Sequence, residues 1–210
     1  MKPIGRISTL KQIIRLERAV RQAEMKIIPP WIHPEEYPDN RVSFSTHGPR
    51  RPVYAATPLR SILEVIGKAG LPKEGHFADL GSGLGMACFV ASFYFSQVTG
   101  FEFDHEILAE AEKIRQRFNL NNVRFLNIDF LRANINPYNV IYMFHPFLDN
   151  FSELIVNILK ETKPGTVIIS HVVDLEVFSK DLVLKRYYPN FWKSHPDKDQ
   201  LPGTFVYERK

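Results

Sequence analysis

The sequence predicts an α/β fold in which helices cover a mostly parallel β-sheet. From Val53 onward, helix-like and strand-like segments alternate with short connections, which is the pattern of a parallel sheet. The segment 76–85 reads HFADLGSGLG, a strand-like run followed by three glycines at alternating positions. Glycines at such a turn let the backbone pass from a strand into a helix and approach a ligand closely. We therefore expect the first strand to lead into a binding loop.

A helical extension precedes this region. Between residues 7 and 27, apolar side chains recur three and four residues apart and predict one buried helical face, formed by Ile13, Leu16, Val20, Ala23 and Ile27. Residues 28–53 contain six prolines, which disfavour a regular helix. The sequence thus predicts a basic helical extension with a proline-rich linker over residues 1–53 and the main domain over residues 54–210.

The main domain contains seven strand candidates and four helix candidates. Apolar faces and terminal residues predict helices at 59–69, 84–95, 106–118 and 151–161. Short apolar runs predict strands at 77–80, 98–103, 123–128, 140–144, 166–172, 182–188 and 204–208. The last two strands have no clear helix between them, so we expect them to form an antiparallel hairpin at the edge of the sheet.

The composition limits the compartment and the partners. Hydrophobic residues make up 44% and charged residues 24% of the chain, and no run of about 18 apolar residues occurs, so we expect a cytoplasmic protein without a spanning helix. The single cysteine, Cys88, lies in an apolar run and is expected to be buried. The net charge of +4 is concentrated in residues 1–26, which hold seven basic and two acidic residues.

Acidic residues end three successive strand candidates: Asp79, Glu102 and Asp129. In an open parallel sheet, ligands bind at the carboxyl ends of the strands, so these carboxylates are expected to face one ligand. Glu102 would accept hydrogen bonds from both ribose hydroxyls of a nucleoside. Asp129 would accept one from an adenine amino group, and Phe103 or Phe130 would pack on the adenine face.

The glycine loop distinguishes between cofactor classes. A pyrophosphate-binding loop reads GxGxxG and would place its third glycine where Met86 stands. Asp79 would also repel the phosphates of a dinucleotide, whereas it would attract an ammonium group. S-adenosylmethionine carries an ammonium group in its amino-acid tail. The loop therefore favours S-adenosylmethionine over a nicotinamide or flavin cofactor.

Taken together, these motifs resemble those of class I S-adenosylmethionine-dependent methyltransferases. The segment Asp79–Gly85 matches their DxGxGxG signature, and Glu102 and Asp129 match the acids that follow their second and third strands. The Lys-Pro-Gly turn at 163–165 matches the turn before their fifth strand. The resemblance covers residues 54–210 and implies a Rossmann-like seven-stranded sheet with a closing antiparallel hairpin. It also implies that the cofactor is bound by the loop residues Gly81, Ser82, Gly83 and Gly85.

A narrower resemblance concerns the methyl acceptor. The segment Tyr54–Pro58 is similar to the entry motif of some small lysine methyltransferases, although alanine stands at its third position, where they have proline. This similarity implies that Thr57 lies beside the cofactor's carboxylate, with Tyr54 near the acceptor. After the fourth strand, the segment 145–147 is similar to the NPPY motif of amino-group methyltransferases, without its Asn or Asp and one proline. His145 is the candidate general base or hydrogen-bonding residue.

We expect methyl transfer to an amine or hydroxyl group, with a protein lysine as the first acceptor and a small molecule as the second. A module that binds a nucleoside cofactor without turnover, and a nicotinamide-dependent oxidoreductase, are the alternatives. Tyr54, Tyr142 and Phe147 are candidates for an aromatic rim around an amine, with packing inside the sheet as the alternative for Tyr142. Asp129 has an alternative role as the cap of a turn.

The basic N-terminal helix allows several roles. We expect a lid over the cofactor first. The alternatives are a basic arm for nucleic acid or an anionic membrane, and an organellar presequence, against which Glu17 and Glu24 count. The histidines show no metal-ligand spacing, so we expect no metal site.

Overall fold

The computed structural model describes residues 7–27, 57–72, 74–144, 159–171, 174–176, 180–189 and 203–210. Within these ranges the sheet consists of β1 His76–Leu80, β2 Gln97–Glu102, β3 Val123–Asn127, β4 Val140–Phe144, β5 Val167–His171, β6 Leu182–Tyr188 and β7 Thr204–Arg209. The strand order is β3-β2-β1-β4-β5-β7-β6. All seven predicted strands are confirmed, and with them the α/β class.

The sheet is parallel from β3 through β5 and antiparallel at its other edge. β7 pairs antiparallel with both β5 and β6, so β6 forms the edge and β7 lies inside it. The predicted antiparallel pair is therefore confirmed. At the centre, β1 and β4 are parallel neighbours whose register places Asp79 opposite Tyr142. This register brings the carboxyl ends of the central strands to one edge of the sheet.

Both faces of the sheet are covered, which explains why the central strands are almost wholly apolar. Successive side chains of a strand point to opposite faces. Phe77 and Tyr142 belong to the core on one face, whereas Leu80 and Ile141 belong to the core on the other. The first of these cores also contains Cys88, from the helix that follows the glycine loop.

Four helices are described: α1 Ile7–Ile27, α2 Leu59–Lys68, α3 Met86–Ala91 and α4 His105–Arg117. The predicted apolar face of α1 is confirmed, because Ile13 and Leu16 are fully buried and α1 packs against α3 and α4. Lys26 Nζ lies 3.7 Å from Glu110 Oε2 of α4. Residues 28–56, directly after α1, lie outside the described ranges, and the role of α1 as a lid over the cofactor stays a prediction.

The third helix is shorter than the sequence predicts, ending at Ala91 instead of Phe95. After Ala91 the chain forms a tighter turn, in which the Tyr94 amide donates a hydrogen bond to the Ala91 carbonyl at 2.8 Å. Asn122 Nδ2 then donates to the carbonyls of Ser92 and Phe95 at 2.8 and 3.0 Å. These carbonyls are satisfied by a side chain distant in sequence, which the local apolar pattern could not indicate.

Other differences are small. The 3₁₀ turn Phe130–Arg132 was not predicted. The predicted helix at 151–161 and the proline-rich linker at 28–53 lie almost entirely outside the described residues. In the part of the chain that the structure describes, no helix is long and apolar enough to cross a membrane.

Candidate active site

Two buried acids lie at the carboxyl ends of β1 and β2. The strands are parallel neighbours with Leu80 opposite Phe101, so Asp79 and Glu102 come to the same edge of the sheet. Asp79 is 3% exposed and Glu102 is 8% exposed. Buried carboxylates are rare in proteins unless they accept hydrogen bonds or pair with a positively charged group of the protein or a ligand. The structure thus brings these two predicted site residues together.

The loop 81–85 connects β1 to α3 and is held against β2. The amides of Gly81 and Ser82 both donate to the Phe101 carbonyl at 2.9 Å. Gly81 has a φ of +80°, and nothing lies within 4 Å of the position that a Cβ would occupy there. At Gly85, with a φ of +82°, a Cβ would lie 2.5 Å from Phe125 Cζ. The loop therefore needs glycine at Gly85 for packing, whereas Gly81 borders open space.

Glu102 links this loop to the start of α4. The Gly83 amide donates to Glu102 Oε2 at 2.9 Å, and the Asp104 amide donates to Oε1 at 2.9 Å. Burial raises the pKa of Glu102, and the two amide hydrogen bonds oppose that rise. Each carboxylate oxygen has two lone pairs, so Glu102 can still accept hydrogen bonds from two hydroxyl groups.

Asp79 lies deeper, beneath α3. Cys88 Sγ donates to Asp79 Oδ2 at 3.5 Å. Burial raises the pKa of Asp79 from 3.8 to about 7, with the Glu102 charge adding to the rise and the Cys88 hydrogen bond opposing it. A nearby cation would stabilise the ionised form of this buried carboxyl group and lower its pKa.

The third acid, Asp129, has different surroundings. It is exposed, and its Oδ1 accepts a hydrogen bond from the Leu131 amide at 3.0 Å, which caps the 3₁₀ turn Phe130–Arg132. Phe130 is buried in the core on the face of the sheet that holds Leu80 and Ile141. Phe103 is half-buried after β2. The structure therefore shows a capping role for Asp129, and its contact with adenine stays a prediction.

The residues predicted for the acceptor side are only partly described. Thr57 is half-buried just before α2, whereas Tyr54, His145 and Phe147 lie outside the described residues. Tyr142 is 1% exposed, with its ring centroid 4.8 Å from that of His171. Tyr142 thus packs inside the sheet, as its alternative interpretation held.

Three supporting residues were not predicted to belong to the site, although the predicted burial of Cys88 is confirmed. Cys88 donates to Asp79, as described above. Asp104 caps α4 by accepting hydrogen bonds from the Glu106 and Ile107 amides at 2.9 and 3.2 Å. Asn127 Nδ2 donates to the Glu102 and Phe103 carbonyls at 3.1 and 2.8 Å, which fixes the chain after β2. An aspartate directly before a helix is an N-cap signal and could have revealed Asp104. No sequence signal marks the other two.

A profile of the methyltransferase domain family matches residues 72–207, from just before β1 into β7. The chain belongs to this family. It is a class I S-adenosylmethionine-dependent methyltransferase, so the nicotinamide-dependent alternative is set aside. No curated protein matches the chain.

Solved structures share the methyltransferase fold. An RNA methyltransferase from Salinibacter ruber, in complex with S-adenosyl-L-homocysteine, is 20% identical over 73% of this chain and 93% of its own, with a TM-score of 0.57. The Escherichia coli protein yhhF, provisionally assigned as a methyltransferase, is 20% identical over 76% of this chain and 90% of its own, with a TM-score of 0.59. A SAM-dependent methyltransferase from Aquifex aeolicus is 16% identical over 73% and 94%, with a TM-score of 0.55.

The residues of the methyltransferase site fit S-adenosylmethionine. Ser82 Oγ is buried in the loop without a hydrogen-bond partner among the described residues. The position beside Gly81 is open, Glu102 retains lone pairs for hydroxyl groups, and Asp79 offers a carboxylate to an ammonium. Among the described residues, no group of histidine, cysteine, aspartate and glutamate side chains could hold a metal ion.

Proposed function

We propose that this methyltransferase binds its cofactor at the carboxyl ends of β1 and β2 and methylates an amine or hydroxyl group, first of all a protein lysine. The observation that supports the cofactor site is the pair of buried acids, Asp79 and Glu102, on either side of the loop 81–85. When bound, S-adenosylmethionine supplies a methyl group on a sulfonium, which an uncharged nucleophile can attack.

Asp79 and Glu102 bind different parts of the cofactor in this proposal. Glu102 accepts hydrogen bonds from the ribose hydroxyls through the lone pairs that the Gly83 and Asp104 amides leave free. Asp79 faces the ammonium group, whose charge favours the ionised carboxylate in its buried surroundings. Thr57 contacts the carboxylate of the same tail. Asp129 and one of the rings of Phe103 and Phe130 contact the adenine.

Other residues are proposed to bind the methyl acceptor, whose amine or hydroxyl group is the nucleophile. An amine must arrive unprotonated and in line with the bond that breaks. His145, which follows β4 in the sequence, is proposed to accept a proton from the methyl acceptor or to hold the acceptor by a hydrogen bond. Tyr54 is proposed to lie near the same acceptor. The similarity of Tyr54–Pro58 to the entry motif of small lysine methyltransferases supports a lysine acceptor. A small molecule is the alternative acceptor for the same residues.

RNA is a second candidate acceptor, because α1 has a basic exposed face. Lys11, Arg15 and Arg18 are exposed and form no ion pair with any residue that the structure describes. Their spacing of four and three residues places them along one side of the helix. Exposed cations arranged in this way can bind a phosphate backbone. The similar Salinibacter ruber protein is an RNA methyltransferase.

Label transfer separates these acceptors. We would incubate the full chain and a cell lysate with radiolabelled S-adenosylmethionine, and divide the product by protease treatment, nuclease treatment and ultrafiltration. Label recovered as methyl-lysine supports the protein acceptor, label released by nuclease supports RNA, and label that passes the filter supports a small molecule. At a low cofactor concentration Glu102→Ala should transfer much less label, whereas Glu106→Ala, which removes an exposed acid four residues later, should transfer as much as the wild type. No label in any fraction would contradict the proposed turnover.

A further inference from the structure

Three polar side chains are buried together beneath the glycine loop. Asp79 of β1, Cys88 of α3 and Tyr142 of β4 are 3%, 0% and 1% exposed. Asp79 and Tyr142 are register partners on adjacent parallel strands, so their side chains point to the same face of the sheet. α3 packs over that face and brings the Cys88 thiol to Asp79 Oδ2 at 3.5 Å. Asp79 is therefore enclosed by groups that can donate a proton.

The two neighbouring groups keep their protons near neutral pH. Burial, followed by the Asp79 charge, raises the pKa of Cys88 well above its usual value. Burial and then the Asp79 charge also raise the pKa of Tyr142 well above the usual value. Glu102 is the other charged group that acts on Asp79. Asp79 is thus the group of this cluster that changes charge near neutrality.

Cys88 and Tyr142 differ in their geometry toward Asp79. The Cys88 thiol donates a hydrogen bond to the carboxylate, whereas the Tyr142 hydroxyl faces Thr57 and makes no hydrogen bond to Asp79. A hydrogen bond to the ionised form of an acid favours ionisation. The thiol therefore opposes the effect of burial on Asp79, and the tyrosine hydroxyl lacks the geometry to do so.

We propose that Cys88 is a positioning residue whose thiol hydrogen bond favours the ionised form of Asp79, and so extends to lower pH the range in which the protein binds the cofactor's ammonium group. This inference rests on the proposed role of Asp79 in the cofactor site. Cofactor affinity falls as the pH falls through the Asp79 transition, because a protonated carboxyl offers no charge to the ammonium. We call this fall in affinity toward low pH the acid limb. Without the thiol, nothing opposes the effect of burial on the pKa of Asp79, and the acid limb moves to higher pH.

Calorimetric binding of S-adenosylhomocysteine, which keeps the ammonium group, tests the inference over a pH series that spans neutrality. In Cys88→Ala we expect the acid limb to move up by about half to one pH unit, the size of one weak charge-assisted hydrogen bond. Cys88→Ser, which keeps a donor, should retain the wild-type limb. Tyr142→Phe is the matched control for the midpoint of the acid limb, because it removes a buried hydroxyl that donates nothing to Asp79. A change in affinity through Thr57 would apply at every pH and leave that midpoint in place.

A second readout needs no ligand. The carboxyl carbon of Asp79, followed by NMR, should titrate at higher pH in Cys88→Ala than in the wild type and at the wild-type pH in Cys88→Ser. An unchanged midpoint in Cys88→Ala, or an equal shift in Tyr142→Phe, would overturn the inference. If the wild type failed to bind S-adenosylhomocysteine, the proposed function would fail, while the NMR titration would still decide the role of Cys88.

Discussion

Glu102 and Asp129 follow neighbouring strands, yet their surroundings differ. Glu102 is 8% exposed and accepts hydrogen bonds from amides on both sides of it, at Gly83 and Asp104. Asp129 is exposed and accepts one hydrogen bond from Leu131, two residues later. An acid at the end of a strand is therefore a weak signal by itself. We expect cofactor binding to depend more on a carboxylate that is hydrogen-bonded to the glycine loop than on one that caps a turn.

The largest expected effect is at Glu102. Glu102→Ala should weaken S-adenosylhomocysteine binding by about 1–3 kcal/mol, or about 5- to 150-fold, because it removes the acceptor for two ribose hydroxyls and leaves two amides unpaired. Isothermal titration calorimetry measures the change, with Glu106→Ala as the exposed control. A dissociation constant equal to that of the wild type would contradict the ribose assignment.

Asp79→Asn should weaken cofactor binding and, above neutral pH, stabilise the ligand-free protein. We expect binding to weaken about tenfold at neutral pH, since the ammonium loses a charge-assisted hydrogen bond. The folded-state pKa of Asp79 is raised from 3.8 to about 7, so its contribution to stability is present below 3.8 and lost as the pH rises through about 7. The ligand-free Asp79→Asn protein should therefore unfold at a higher temperature than the wild type above neutrality, and at nearly the same temperature in acid. A variant less stable than the wild type above neutrality would be the contrary result.

Alanine substitutions at two glycines distinguish backbone strain from the loss of space for the cofactor. Gly81 and Gly70 have φ values of +80° and +68°, and neither has an atom within 4 Å of the Cβ position. Alanine at either position should cost about 1–2 kcal/mol of folding free energy, because both would hold a side chain in the left-handed region. Only Gly81→Ala should also weaken cofactor binding severalfold. Equal binding by Gly81→Ala and Gly70→Ala would place the cofactor away from the loop.

The smallest effect is expected at Asp129. Asp129→Ala removes one capping hydrogen bond at an exposed turn and should cost about 1 kcal/mol or less of folding free energy. If Asp129 also binds adenine, S-adenosylhomocysteine affinity falls by a further severalfold, without reaching the loss at Glu102. Chemical denaturation and calorimetry on the same variant measure both quantities. A loss of affinity larger than that of Glu102→Ala would reverse the comparison between the two acids.

Much of the fold and the outline of the site could be predicted from local patterns. The strand at Val140–Phe144 was recognised from its apolar run, and the order of Asp79, the glycines and Glu102 placed them at one edge of the sheet. The distant contacts could not be predicted in this way. The carbonyls that follow the early end of α3 are satisfied by Asn122, and the hydrogen bond between Cys88 and Asp79 requires that α3 packs over β1. Both join residues whose proximity is set by the assembled sheet.

A crystal structure of the protein with S-adenosylhomocysteine tests the central assignment most directly. We predict the ribose hydroxyls within hydrogen-bond distance of the Glu102 carboxylate and the ammonium group facing Asp79, with the ligand passing over Gly81. Density for the adenosyl group elsewhere, with both carboxylates still enclosed by protein, would contradict it.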